Sequence, residues 1–139
     1  MRKVVPVLSL FVFIFLLGFS NSIKAGNVSE AEQLIKQTLL GFAKAWNDKN
    51  ANGVIAFYHE DAQIMTGADR RMVTRKQYLN IIPDRCRRFG KIKFGKPKIE
   101  IKDNKAKVNV KASFKRVSAN FTFYMVLQDD RWVIMVQEY

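Results

Sequence analysis

KAKVNVKASFK, residues Lys105 to Lys115, sets Ala106, Val108, Val110, Ala112 and Phe114 against Lys105, Lys107, Asn109, Lys111, Ser113 and Lys115 in unbroken alternation. A period of two sends successive side chains to opposite faces of an extended chain, so this run reads as a strand with one dry face and one lysine face. Its neighbours share the period. KIEIK (Lys98 to Lys102) precedes it across Asp103-Asn104, and KIKF (Lys91 to Phe94) reads as a further strand upstream. Downstream, NFTFYMVLQ (Asn120 to Gln128) and RWVIMVQEY (Arg131 to Tyr139) form a hairpin through Asp129-Asp130. Both carry apolar residues on both faces, as central strands do, or strands whose second face meets another subunit.

Before Gly90 the period is helical. Ala31, Leu34, Ile35, Thr38, Leu39, Phe42 and Trp46 recur at intervals of three, four and seven behind Ser29 and Glu32, which have capping-box spacing. They predict an amphipathic helix ending in NDKN, Asn47 to Asn50. A short second helix is expected from Asn52 through GVIAFY, and AQIM (Ala62 to Met65) has the length and bounds of a first strand. Thr74 with Gln77 makes another capping box, opening a third helix that Pro83 must kink or interrupt. Helices followed by an alternating antiparallel meander give an α+β layout, with N-terminal helices packed on the sheet.

FYHEDAQIM, Phe57 to Met65, holds the one histidine of the chain, His59, beside Glu60 and Asp61. An imidazole next to carboxylates is the material of acid/base catalysis, and equally of a solvated turn. With a helix before it and a strand after it, the three polar residues are expected to turn the corner. The single cysteine, Cys86, excludes an internal disulfide. Tyr78, Leu79, Ile82, Cys86 and Phe89 follow helical spacing, so Cys86 is expected on the apolar face as a small buried residue. With one His and one Cys no zinc set can be assembled, and no metal or cofactor is expected.

The N-terminus reads as a targeting segment. Met1-Arg2-Lys3 is followed by an uncharged apolar run, Val4 to Phe19, and then by the polar SNSIKAGN. Sixteen residues fall short of the ~20 that span a bilayer, which favours a cleaved signal over a retained anchor. Ser20-x-Ser22 and Ile23-x-Ala25 offer small residues for cleavage, and the expected cut follows Ala25, leaving 26–139 as a single exported domain, periplasmic or secreted. No Cys follows the apolar run, which argues against a lipid-anchored lipoprotein.

With residues 1–25 removed, the 24 basic residues lose Arg2, Lys3 and Lys24 and face 12 acidic ones, a net charge of +9. The excess is concentrated: 17 basic residues lie between Arg70 and Arg116, against Asp84, Glu100 and Asp103. Such a belt suits an anionic partner in the cell envelope, with Arg70, Arg71, Lys105, Lys107 and Lys111 as its candidate contacts, or it is a solvated face. Membrane contact is then expected only through the signal segment or this face. Export and the lack of any RNP-like or helix-turn-helix signature argue against nucleic acid.

FAKAWNDKNANGVIAFYHEDAQIM followed much later by YMVLQDDRWVIMVQEY resembles the nuclear transport factor 2-like superfamily, which includes ketosteroid isomerases and polyketide-cyclase-like proteins. The resemblance runs from about Glu30 to Tyr139 and implies a cystatin-like cone, in which helices close a strongly curved antiparallel sheet over a pocket. It leaves activity open, because sites are grafted on such scaffolds independently. Against the ketosteroid isomerase pattern this chain has Phe42 in place of the oxyanion-hole tyrosine and Thr66 in place of the general-base aspartate. Neither side chain can perform those roles.

Exported domains appended to L,D-transpeptidases look similar over Ala45-Trp46, Phe57-Tyr58, Arg70 to Tyr78 and Trp132 to Glu138, which implies an accessory binding module. By strand parity Glu138 shares a face with Trp132, Ile134 and Val136, and so would point into the pocket beside Tyr58, Tyr78 or Trp46. Trp46, Tyr58, Tyr78, Trp132 and Glu138 are therefore the candidate ligand-binding residues, for a small apolar ligand. No catalytic residue is assigned. A pocket hydro-lyase or isomerase using Glu138 with a tyrosine or His59 is the enzymatic alternative, and a homodimer would have to use Tyr124, Val126, Val133 and Met135.

Overall fold

The computed structural model describes residues 28–139. The apolar run and the Ala25 cleavage site lie outside the described residues. Residues Gln33–Tyr139 form one compact unit, and residues 28–32 are the start of its first helix.

Helix α1 occupies 28–47. It is already helical at Val28, so Ser29 stands within the helix and not at its N-cap. Ile35, Leu39, Phe42 and Trp46 are buried on one face, whereas Leu34, at 44% exposure, falls outside the stripe. The Asn47 side chain ends α1 by bonding Ile92 twice: its Oδ1 accepts from the Ile92 N–H (2.7 Å) and its Nδ2 donates to the Ile92 carbonyl (3.1 Å).

Helix α2, Ala51–Ile55, is capped by Asn50, whose side chain accepts from the Gly53 N–H. It ends before Phe57, earlier than expected, and strand β1 begins at once, Tyr58–Thr66. His59, Glu60 and Asp61 thus belong to a strand and do not turn a corner. Their polarity is accommodated by a bulge: the pairing with the last strand shifts register between Tyr58 and Gln63. Residues in a bulge leave the ladder and can face water. The Asp61 N–H there donates to Nδ1 of His59 at 3.0 Å.

Gly67 (φ 82) and Arg70 (φ 56) turn the chain into β2, Arg71–Thr74, a short strand that pairs antiparallel with β1. Helix α3, Arg75–Phe89, opens on the expected Thr74–Gln77 capping box, with both reciprocal bonds present. It runs through Pro83 without interruption, the ring being exposed. Gly90 (φ 73) ends it, donating to the Cys86 carbonyl at 3.0 Å.

The remaining strands are β3 (Lys93–Phe94), β4 (Lys98–Lys102), β5 (Lys105–Ser113), β6 (Ser118–Gln128) and β7 (Arg131–Glu138). β3 is shorter than KIKF suggests because Asn47 has taken the backbone of Ile92. The curved sheet has the order β2-β1-β7-β6-β5-β3, with β4 also paired to β5. The α+β class with helices on a curved sheet is as expected. The sheet is mixed, however, since β1 runs parallel to β7 while every other pair is antiparallel.

β5 realises its alternation, burying Ala106, Val108, Val110 and Ala112. β7 does not. Tyr124 of β6 pairs with Val136 while the next residue, Met125, pairs with Ile134, so β7 holds one extra residue. The bulge inverts parity for the end of the strand. Phe42 is the hub of the core, its ring centroid 5.9–6.3 Å from those of Trp46, Phe57, Tyr58, Phe94 and Phe123. Aromatic pairs of this geometry contribute roughly 0.5–1.5 kcal/mol each beyond their buried area.

Candidate functional site

A cavity of about 410 Å³ opens between α3, the C-terminal end of β1 and the inner ends of β6 and β7. Its apolar wall includes Trp46, Met65, Phe89, Phe114, Val117 and Phe121, and its polar groups are Thr66, Tyr78, Arg85, Arg88, Gln137 and Tyr139. The lining contains no Asp, Glu, His or Cys. An apolar chamber with a few converging polar groups is the usual form of a small-molecule site.

Tyr78 and Gln137 form its floor, and Tyr58 backs them from the core. Tyr58, 3% exposed, comes from the start of β1; Tyr78, 5% exposed, from the first turns of α3; Gln137, 4% exposed, from the end of β7. The Tyr58 hydroxyl donates to Oε1 of Gln137. The rings of Tyr58 and Tyr78 meet edge to face at 5.6 Å. Burial pushes the Tyr78 phenol up to about 12, although Gln137, Tyr58 and Arg85 draw it down. Burial and the neighbouring Tyr78 raise the Tyr58 phenol well above its ordinary value. Both are neutral hydrogen-bonding groups at physiological pH.

The rim is set by the turn after β1 and by the C-terminus. Tyr139 donates through its hydroxyl to the Gly67 carbonyl, and its ring packs against Phe121 at 5.5 Å. Burial raises the Tyr139 phenol, opposed by the charges of Arg85 and Arg70. Trp46 lends its ring to the wall while its Nε1–H donates to the Gly90 carbonyl at 2.9 Å.

Trp46 and Tyr78 therefore line the cavity and Tyr58 lies directly beneath it. Glu138 and Trp132 do not line it. The β7 bulge places Gln137 inward opposite Phe123, so Glu138 falls on the other face, half-buried and paired with Thr122. Trp132, buried, borders a separate cleft with Leu34, Phe57 and Arg131. His59 also lies outside the cavity, and Phe42 is consumed in the core. Thr66, by contrast, is buried and lines the chamber.

Cys86 is buried as expected, and burial raises its thiol, opposed by Lys49. Lys105, Lys107 and Lys111 stand exposed on one face of β5, whereas Arg70 and Arg71 belong to the β1–β2 hairpin, separated in the sheet order by β1, β7 and β6. Tyr124 is 37% exposed, Val126 and Met135 are half-buried, and Val133 is buried. Among the described residues no three His, Cys, Asp or Glu side chains cluster as metal ligands, and no helix is long and apolar enough to cross a membrane.

Two lining residues were open to reading but not singled out. Arg85 lies seven residues after Tyr78 and four before Phe89, so a charge sits on the apolar stripe of α3. Gln137 could not be placed by parity, because nothing in RWVIMVQEY marks the bulge.

No protein-family model and no curated protein matches the sequence. Solved structures do match in fold. An NTF2-like protein of unknown function from Shewanella oneidensis is 21% identical, with 77% of this chain and 96% of that chain covered at a TM-score of 0.65. A protein of unknown function from Mycobacterium tuberculosis is 14% identical over 84% of this chain and 75% of its own, at 0.72. A scytalone dehydratase-like protein from Novosphingobium aromaticivorans is 14% identical over 83% and 85%, at 0.64. At these identities the likeness is one of architecture, and the chain has the nuclear transport factor 2-like, cystatin-like fold.

Proposed function

We propose that the domain is a binding module that holds a small, largely apolar ligand in the chamber above Tyr58, Tyr78 and Gln137. The observation that carries this reading is the lining itself: aromatic walls, the neutral polar groups of Thr66, Tyr78, Gln137 and Tyr139 and the guanidiniums of Arg85 and Arg88, with no carboxylate side chain, imidazole or thiol to exchange a proton near neutral pH. The enzymatic alternative relied on Glu138 acting with a tyrosine or with His59, and neither Glu138 nor His59 is among the residues lining the chamber. The apolar run behind Arg2-Lys3 supports export, with the ligand met in the periplasm or outside the cell and the domain serving as an envelope accessory module. Titration with an environment-sensitive apolar dye tests it. Saturable one-to-one enhancement is expected, and Ala119→Trp, which fills the cavity from β6, should abolish it. Equal enhancement by the variant would refute pocket binding.

A second reading rests on the outer face of β4 and β5. Lys102 pairs with Lys105, Glu100 with Lys107 and Lys98 with Asn109, so lysines crowd one exposed face with a single acid among them. Like charges directly opposite destabilise a sheet, which an anionic surface would relieve. Cosedimentation with anionic vesicles or peptidoglycan should then weaken steeply with salt and weaken further in Lys107→Ala/Lys111→Ala. Cosedimentation insensitive to both changes would exclude this face as the contact.

A further inference from the structure

Resting on the pocket-binding reading, the next step is the chemical class of the ligand, and Arg85 decides it. Its Nε is buried in the chamber wall and has no hydrogen-bond partner. The nearby acid of α3 is already committed: Asp84 receives Arg87 at 2.9 Å and Arg88 at 3.0 Å. Among the described residues no carboxylate lies within ion-pair distance of Arg85, and residues 1–27 contain no acid. Asp69 comes near without pairing. A Cβ at Gly67 would lie 2.8 Å from Oδ1 of Asp69 and 4.0 Å from Nη2 of Arg85, so both groups overhang the same turn at the rim.

A buried donor on a charged group without an acceptor is costly, and such groups are rare in folded proteins. Nε itself is sealed in the wall, so a ligand would meet the guanidinium at its terminal nitrogens, of which Nη2 lies at the Gly67 turn of the lining. The guanidinium fork matches a carboxylate in shape and charge. Asp84 is shared between Arg87 and Arg88, so the lining keeps an excess of positive charge, and Arg85 is the member of it with no acidic partner, open to a ligand's negative charge. No acidic side chain in the lining would repel an anion, and none would hold a cation.

We propose that the chamber takes an organic monocarboxylic acid, its apolar body among Trp46, Phe114 and Phe121 and its carboxylate on Arg85. The cavity of about 410 Å³ holds roughly 14 water-sized groups at about 30 Å³ each, which suits a medium-chain or aryl acid and not a long lipid.

Isothermal titration of the purified protein with decanoate, decanol and decyltrimethylammonium tests the assignment. Decanoate should bind the unmodified protein at least tenfold more tightly than decanol, and the ammonium should bind worst. Arg85→Met should lower decanoate affinity about tenfold or more while leaving decanol within about twofold. Arg85→Lys should recover part of the loss, and Lys76→Met, exposed on α3 and outside the lining, should change neither probe by more than about twofold. Circular dichroism melts establish that each variant is folded. If decanoate and decanol bind alike and Arg85→Met affects them equally, the carboxylate assignment fails while the pocket stands. If neither probe binds the unmodified protein and the dye gives no saturable signal, both readings fail together.

Discussion

Tyr78 shows what a single buried group imposes on the molecule. Its phenol titrates near 10 in an unfolded chain and near 12 in the folded one. Above pH 10 the unfolded state therefore binds fewer protons than the folded state, and stability falls as pH rises. The rise from 10 to about 12 corresponds to about 3 kcal/mol for this residue, fully present below pH 10 and lost progressively towards pH 12. Tyr58, shifted in the same direction, steepens the decline. Urea denaturation across pH 8 to 12 should show it, and Tyr78→Phe should flatten the slope although it leaves Gln137 short of a partner. A variant as alkali-sensitive as the unmodified protein would show that Tyr78 does not carry the effect. At this scale the sequence was half legible. Trp46 and Tyr78 could be placed in the pocket from spacing and resemblance. Glu138 could not, because parity assumes a regular ladder and one inserted residue exchanges it for Gln137.

Elements followed their local chemistry most closely where that chemistry was complete. Thr74 and Gln77 satisfy each other's backbone donors, so α3 begins where the capping box put it, and Thr74→Ala should cost about 1 kcal/mol in denaturant unfolding. The hairpin between β6 and β7 is complete in shape but not in composition. Asp129 and Asp130 have φ of 50° and 61°, the two left-handed residues of a tight two-residue hairpin turn. Aspartate tolerates that region less well than Asn-Gly, so Asp129→Asn with Asp130→Gly should stabilise by about 1 kcal/mol and raise the melting temperature by about 4 °C. A lower melting temperature would mean that the two carboxylates make contacts that the turn geometry does not reveal. β2 had no such signal in advance: RMVT is four residues with only Val73 buried, and it becomes a strand because the edge of β1 is there to pair with.

The whole chain carries 24 basic residues against 12 acidic, and the fold gives them little to neutralise one another. The ion pairs among the described residues are three, all built on Asp48 or Asp84 and all exposed. Exposed pairs of this kind contribute about 0–1 kcal/mol each. Repulsion across the β4–β5 face and along Arg70 to Arg116 acts over longer distances, with no disulfide to restrain the chain. Raising ionic strength from 0.01 to 0.15 M shortens the screening length from about 30 to about 8 Å, which weakens repulsion between strands more than contacts inside the core. The melting temperature should therefore rise with sodium chloride over that range by a few degrees, and the rise should shrink in Lys105→Glu, which sets a carboxylate directly opposite Lys102. Sulfate would confound the measurement by strengthening burial itself, so chloride is the salt to use. A melting temperature that falls with chloride would mean that attraction, not repulsion, dominates the surface, and the lysine face would then lose its claim to be waiting for an anionic partner.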